Sequence, residues 1–427
     1  MKAHHRSLLF AALMFIAFAA AAYKTFQRAP DSTFVLAPAQ TSAAPGQPVG
    51  SGQTPKFEAQ FVSSNPGRAV HAPSIVELRD GSLRAVWFSG SREGADDVTV
   101  QTAVMNAATG QWGAEATLFN RQLLQRSLQR YIKKIGNPVI ARAPDGSLHL
   151  WMVNVSLGGW AGSAITWARS MDEGVTWSAP KRLVTSPFLN ISTLVKGAPV
   201  AMADGSLSLP VYHEFATKFG EVLHLDTQGR VTDKTRIPGS HTSLQPVLLT
   251  AGQLEAKAYM RSGLGGKVMM STTGDAGKTW AAARAINLPN PDSALAGLVS
   301  SSGGNWLALN PSATGRQSLG LVKANRAGSF DAAKPLFVEG SDGPPPAGLS
   351  IADHAALLTS ELKAQGVSDT DIQAYVASAA RQLCGPTSCT REFSYPFLLQ
   401  TRDGMVHMVY TWNRSRIKYV RLGAALD

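Results

Sequence analysis

Two cysteines in 427 residues leave no disulfide scaffold to account for the fold. Cys384 and Cys389 bracket only four residues, so a bond between them would close a small loop in an oxidising compartment and add little to global stability. No further ligands stand near them in sequence, so they do not make a zinc site. Charge is sparse as well, at 16% of residues. No run of Lys or Arg is interleaved with aromatics, which argues against nucleic acid as a partner. No metal-ligand spacing and no cofactor fingerprint is legible, so neither is expected. Long apolar runs are missing except for one near the start. What remains is rich in apolar residues, Gly, Ser and Thr, a mixture that suits short strands joined by tight turns.

The one apolar run covers Leu8–Ala22, behind Lys2 and Arg6. A positive flank before a short apolar stretch is the pattern of an export signal. Its 15 residues fall short of the roughly 20 that span a bilayer, although Ser7 and Tyr23 would lengthen it. Residues 1–28 are therefore expected to be a signal anchor or a cleaved signal peptide, with the small residues Ala19–Ala22 as the cleavage site. The protein then sits on the periplasmic face of the inner membrane or is secreted. Residues 29–55, rich in Pro, Gly, Ala, Ser and Gln, read as a flexible linker. The net charge is +11, which suggests an anionic partner: an acidic glycan or the membrane surface.

From residue 57 onward the chain repeats itself. Ala72-Pro73, Asn137-Pro138, Ala198-Pro199, Gln245-Pro246 and Tyr395-Pro396 each open an apolar run. Each run meets a tight turn at Asp80-Gly81, Asp145-Gly146, Asp204-Gly205, Ala251-Gly252 or Asp403-Gly404. A second apolar run then ends on Trp87, Trp151, Tyr212, Tyr259 or Tyr410. A worn sixth copy runs from Gly297 through Gly303-Gly304 to Leu309. Each copy is a β-hairpin, and hairpins repeated along a chain form an array of like units. Six of them imply an all-β, six-bladed β-propeller over residues 56–427. Only three strands remain for the last blade, so Phe57–Val62 is expected to supply its outer strand.

Ser170-x-Asp172-x-Gly174-x-Thr176-Trp177 and Thr273-x-Asp275-x-Gly277-x-Thr279-Trp280 share a second pattern, with a worn relic near Asn325–Phe330. The Asp accepts backbone N–H groups inside the turn, Gly takes the left-handed conformation, and Trp plugs the turn against the sheet. This pattern resembles the Asp-box of the sialidase (neuraminidase) superfamily, and the chain is most similar to bacterial predicted neuraminidases with Asp-box (BNR) repeats. The resemblance covers about residues 61–422 and implies a glycoside hydrolase fold in which Asp172 and Asp275 are structural. It also marks two departures. Sialidases carry an Arg two residues before the first-strand proline, where this chain has His71. Their nucleophilic Tyr precedes a Ser, where this chain has Phe393 before Ser394 and Tyr395 one residue late.

In a four-stranded blade, residues before the first strand or after the second lie at the top, around the channel mouth. That rule selects the candidate site. Asp97 or Asp96 is the expected acid, a role implied by the first-blade loop of sialidases. Glu214, Tyr395 and His71 are the other catalytic candidates. Arg68, Arg92, Glu93, Lys134, Asn137, His213, Gln245, Arg261, Asn290, Arg316 and Arg414 are candidates for substrate binding, the arginines as carboxylate forks. The expected function is that of an exported, carbohydrate-active propeller, a sialidase-like glycosidase working as a monomer on an acidic glycan. A non-catalytic glycan-binding or envelope-assembly propeller and a true exo-α-sialidase stay open beside it. Residues 341–390 read as a helical insertion between blades five and six, with an N-cap at Ser350, a stop at Gly366 and a second start at Ser368. It is expected to wall the mouth, tied by a Cys384–Cys389 bond.

Overall fold

The computed structural model describes residues 2–26, 32–36, 57–186, 190–341 and 348–423. Six antiparallel sheets stand around a central channel, with strands in sequence order from the channel outward in every blade but the last, whose outer strand comes from near the N-terminus. Their inner strands are Ala69–Glu77, Lys134–Arg142, the broken pair Leu194–Val195 and Val200–Ala201, Ser243–Thr250, Ala296–Val299 and Phe393–Gln400. The worn copy from Gly297 to Leu309 is a full blade, the fifth along the chain, its first hairpin pairing Ala296–Val299 with Asn305–Leu309. The aromatic residues that end the second strands fill the space between blades. Trp87, Trp151 and Tyr410 are 0% exposed, and Tyr212 and Tyr259 are 2% exposed.

Glu58–Phe61 pairs antiparallel with Arg416–Gly423. It thereby gives blade six its outer strand and closes the ring. The Asp-box turns form as the pattern requires: Asp172 Oδ1 accepts Thr176 N at 2.9 Å and Asp275 Oδ1 accepts Thr279 N at 2.9 Å. Related turns recur where the pattern is worn. Asn325 Oδ1 accepts Ala327 N and Ser329 N, with Phe330 buried in the place of Trp. Asn106 and Asp226 hold the matching turns of blades one and three.

Two helices, Ile351–Ala364 and Asp369–Leu383, lie in the chain between blades five and six. Ser350 caps the first by accepting Asp353 N, and Ser368 caps the second by accepting Asp371 N. Leu358, Leu362, Ile372, Tyr375 and Ala379 pack with Phe393 and Trp412 of blade six. Cys384 and Cys389 are disulfide-bonded. The start of the expected insertion, with Pro344–Pro346, lies outside the described residues. A third helix, Arg121–Leu128, capped by Asn120, follows blade one and carries no repeat signal.

Two expectations about the N-terminus change. Lys2–Phe26 is helical, but no helix among the described residues is long and apolar enough to cross a membrane. The uncharged apolar run Leu8–Ala22 is only part of that helix, and its fifteen residues rise about 22 Å against a hydrocarbon core of about 30 Å. The linker is also not uniformly loose. Phe34 is 2% exposed and packs with Met202, Val222, Leu248 and Trp280. Its N–H donates to Gln253 O at 2.8 Å, and Val35 N donates to Ala201 O at 2.9 Å. These contacts pin the segment beside the Asp204-Gly205 and Ala251-Gly252 turns, on the face opposite the mouth. Most of the expected linker lies outside the described residues.

Candidate functional site at the channel mouth

A backbone irregularity repeats around the mouth. Ala72, Asn137, Gln245 and Tyr395 all have positive φ, at 53°, 41°, 54° and 55°. Each directly precedes the proline of its inner strand, and each sits in a register shift of that strand. A residue before proline ordinarily prefers extended backbone. Holding a non-glycine in the left-handed region costs about 1–3 kcal/mol and persists where the surroundings enforce it. The bulge turns the side chain from the sheet toward the channel, so strain is spent where side chains converge.

There a chain of polar contacts draws on all six blades. Asn137 Nδ2 donates to the Tyr212 hydroxyl at 3.1 Å. Gln245 Nε2 donates to the hydroxyls of Tyr212 and Tyr395 at 3.4 and 3.1 Å. Arg261 Nη1 donates to the Tyr395 hydroxyl at 3.2 Å and to Gln245 Oε1 at 3.1 Å, while its Nε meets Asp292 Oδ1 at 2.5 Å. Arg316 Nη2 donates to Asp292 O at 2.9 Å, and Nη1 reaches Glu392 Oε1 at 3.2 Å. Arg414 Nε donates to the same oxygen at 2.9 Å, and Nη1 reaches Glu93 Oε2 at 2.8 Å. His71 closes the circle from blade one, its ring centre 4.1 Å from that of Tyr395 and its Nδ1 2.9 Å from Thr411 Oγ1.

Protonation follows from this packing. Burial, with Arg414, Arg316, Lys196 and Arg261 nearby, lowers the His71 pKa well below its usual value, so the ring is neutral. Burial alone lowers Lys196 to about 7. Burial raises Glu214, against Lys218 and Arg261, while Asp292 and Glu93 add to the rise. Burial also raises Tyr212 well above the usual phenol value. Glu392 shows the opposite balance: burial opposes its charge, but Arg414, Arg316 and Ser394 outweigh it and lower its pKa. Asp97 behaves alike. Its slight burial is outweighed by hydrogen bonds from Ser91 and by Arg68, so its pKa is lowered.

The expected site residues divide into groups. Tyr395, Gln245, Asn137, Arg261, Arg316, Arg414, Glu93 and His71 meet in the circle. Glu214 continues the strand of Tyr212, two residues on, so both face the same side. His213 points the other way, stacked on Phe219 at 4.4 Å with Nε2 2.8 Å from Glu221 Oε2. Asn290 is wholly buried and holds a turn with Ser293. Asp97 holds its own turn, both carboxylate oxygens accepting Ser91 N at 3.0 Å. Arg68 braces the same loop through Ser89 and Asp97. Asp96 is exposed and 3.7 Å from Arg121. Arg92 is exposed, and Lys134 lies over Trp160 at 5.6 Å. Along this rim Arg381 donates to Gly67 O and Gln382 to Ser91 O, bringing the second inter-blade helix to the first-blade loops.

Sequence reasoning missed Lys196, Tyr212, Asp292, Glu392 and Thr411 as members of the site. Tyr212 served only as a repeat marker. Glu392 had a signal, an acid directly before the Phe393–Pro396 segment of the last repeat. Lys196 had one too, a charge at a repeat position that is uncharged in the other hairpins.

Six blades, Asp-box turns and a polar mouth at the head of the channel define a propeller of the sialidase fold. The chain belongs to the BNR repeat-like family, whose domain matches residues 81–408. It is similar in structure to a Dyadobacter fermentans protein of unknown function, at 12% identity and a TM-score of 0.63, covering 86% of this chain and 98% of that one. It is also similar to the Hadza microbial sialidase Hz136, at 15% identity and a TM-score of 0.60, covering 84% of this chain and 66% of that one. The Ruminococcus gnavus intramolecular trans-sialidase, in complex with oseltamivir carboxylate, is similar at 12% identity and a TM-score of 0.58, covering 86% and 96%. At these identities the likeness shows the fold alone. No curated protein matches the chain.

Proposed function

We propose that the protein is an exported, sialidase-like glycoside hydrolase that acts as a monomer on an acidic glycan at the channel mouth. The observation that carries this reading is Tyr395. Strained backbone aims it into the mouth, Gln245 and Arg261 donate to its hydroxyl, and neutral His71 lies against its ring. With two donors on the oxygen, negative charge on the phenolate is stabilised. Hydrolysis needs one group to protonate the leaving oxygen and another to attack or to activate water. Glu214 suits the first task because burial raises its pKa. Tyr395 suits the second, with His71 taking the proton. Asp97, held ionised by Ser91 and Arg68, suits loop-holding better than acid catalysis. The reading of the helical pair as a wall of the mouth is supported by its contacts at Gly67 and Ser91. Export is supported by Lys2 and Arg6 ahead of the apolar run and by the disulfide, which persists in oxidising compartments.

The test is product release from a panel of sialylated and other acidic oligosaccharides. Tyr395→Phe and Glu214→Gln are each expected to lower turnover about 10²–10⁴-fold with the fold intact. Equal rates in wild type and both variants would overturn the assignment. One observation favours a second reading, a non-catalytic glycan-binding propeller. Arg261, Arg316 and Arg414 are already paired with Asp292, Glu392 and Glu93, so a ligand carboxylate must compete for them. Glycan binding that survives in Tyr395→Phe, without product from the wild type, would select that reading. Release of a shortened protein by alkaline carbonate would identify the N-terminal segment as a cleaved signal.

A further inference from the structure

Lys196 stands three residues before the proline of its hairpin. The same position in the other clear copies holds Val70, Ile135, Ser243 and Phe393, so the charge is peculiar to blade three. The side chain is 3% exposed. Its Nζ crosses the channel and donates to Pro396 O in blade six at 3.0 Å. It also lies 5.8 Å from the ring centre of Tyr395 and 5.3 Å from that of Phe397, both within cation–π range. The three residues it touches are consecutive and contain the strained Tyr395–Pro396 bulge. Among the described residues no carboxylate is paired with it. A buried ammonium without such a partner is destabilising, and a methionine would fill the same space without that cost. The charge therefore serves the bulge rather than the packing.

We propose that Lys196 is a positioning residue of the mouth, a cationic clasp from blade three that holds the Tyr395–Pro396 bulge of blade six and thereby aims the Tyr395 hydroxyl. This rests on the reading of Tyr395 as the centre of the site. The clasp acts through the ammonium, so it loosens as the lysine is deprotonated near neutral pH. His71 from blade one and Tyr395 from blade six face it, and the other titratable or charged groups of the mouth are Tyr212 from blade three, Arg261 from blade four, Arg316 from blade five, and Glu392 and Arg414 from blade six. His71 and Tyr212 stay neutral there, and Arg261, Arg414 and Glu392 stay charged. Glu214, with its raised pKa, is the other group that can titrate toward neutrality.

The experiment follows the ring signals of ¹³C-labelled tyrosine in the full chain from about pH 5 to about pH 9, with Tyr395 assigned by Tyr395→Phe. It needs no substrate, so it stands or falls separately from the proposed activity. The Tyr395 signal is expected to move with a midpoint near the Lys196 pKa in wild type and in Glu214→Gln. In Lys196→Met it is expected to lie at the deprotonated position throughout, and Lys196→Arg is expected to keep the protonated position. Where turnover is measured, Lys196→Met should lower kcat about tenfold or more with KM nearly unchanged, and Lys196→Arg should restore part of it. A pH-independent Tyr395 signal in wild type overturns the proposal. So does a step that vanishes in Glu214→Gln, or one that persists in Lys196→Met.

Discussion

An ammonium buried with no carboxylate beside it leaves a trace in the pH dependence of folding. The Lys196 pKa is about 7 in the native state and about 10.4 in an unfolded chain. Between those values the unfolded state binds more protons, so this group makes stability rise with pH. Below the native value both states are protonated and the full penalty is present. Lys196→Met removes the penalty, so the melting temperature of the variant relative to wild type should be higher at about pH 6 than at about pH 9. An equal difference at both values would mean that the lysine is not desolvated. Asp97 has the opposite sign. Its lowered pKa adds stability above the ordinary carboxylate range, which is lost as pH falls through the native value. Asp97→Asn should therefore loosen the Ser91 turn, read as faster amide exchange at Ser91, while the Tyr395 variant leaves that turn protected. At this scale the sequence showed which residue types stand at the rim, but not their pairing. Glu392 reaches back to Arg316 of blade five, and Glu93 of blade one holds Arg414 of blade six, so these pairs cross between blades.

The Asp-box turn shows an element whose role is local. Asp172 is held at about 2 by Thr176 and Ser170, so its contribution is present above the unfolded carboxylate range and fades as pH drops toward 2. Asp172→Ala should lower the melting temperature at neutral pH, lose most of that effect in strong acid, and leave the mouth unchanged. Asp275→Ala in blade four should behave the same way, because the same turn is built there from Thr273, Asp275 and Thr279. Such turns were legible because every contact falls within seven residues. The bulges were half legible: each X-Pro pair marked a repeat, but the pairs do not show that Ala72, Asn137, Gln245 and Tyr395 take left-handed backbone while Ala198 does not. The helix Arg121–Leu128 carried no repeat signal.

Closure of the whole ring depends on two contacts far apart in sequence. Glu58–Phe61 pairs with the last strand, and Phe61 meets Trp412 edge to face, with ring centres 5.2 Å apart. A chain beginning after residue 62 should lose cooperative unfolding in calorimetry, because blade six then exposes an unpaired edge. Phe34→Ala tests the second contact. Removing a buried Phe costs about 3–5 kcal/mol in a well-packed core, and here the loss should expose the Asp204 and Ala251 turns to protease. If both variants melted like wild type, neither contact would contribute to closure. Phe34 also fixes direction: the N-terminal segment leaves from the face opposite the mouth, whatever that segment is attached to.

What the sequence determined by itself was everything periodic. Hairpins, aromatic ends, Asp-box turns, helix caps and the missing strand of blade six all follow from short-range patterning, since period-two strands and tight turns need only neighbouring residues. What the tertiary structure decided was everything that passes between blades. It turned His213 onto Phe219, buried Asn290 in a turn, tied Asp97 to Ser91, pinned Phe34 where a loose linker was expected, and brought Lys196 to Tyr395 across 199 positions of the chain. Those outcomes depend on which side chains face each other around a closed ring. That is set by the packing of six sheets together, a long-range cooperative fact that no window of sequence contains.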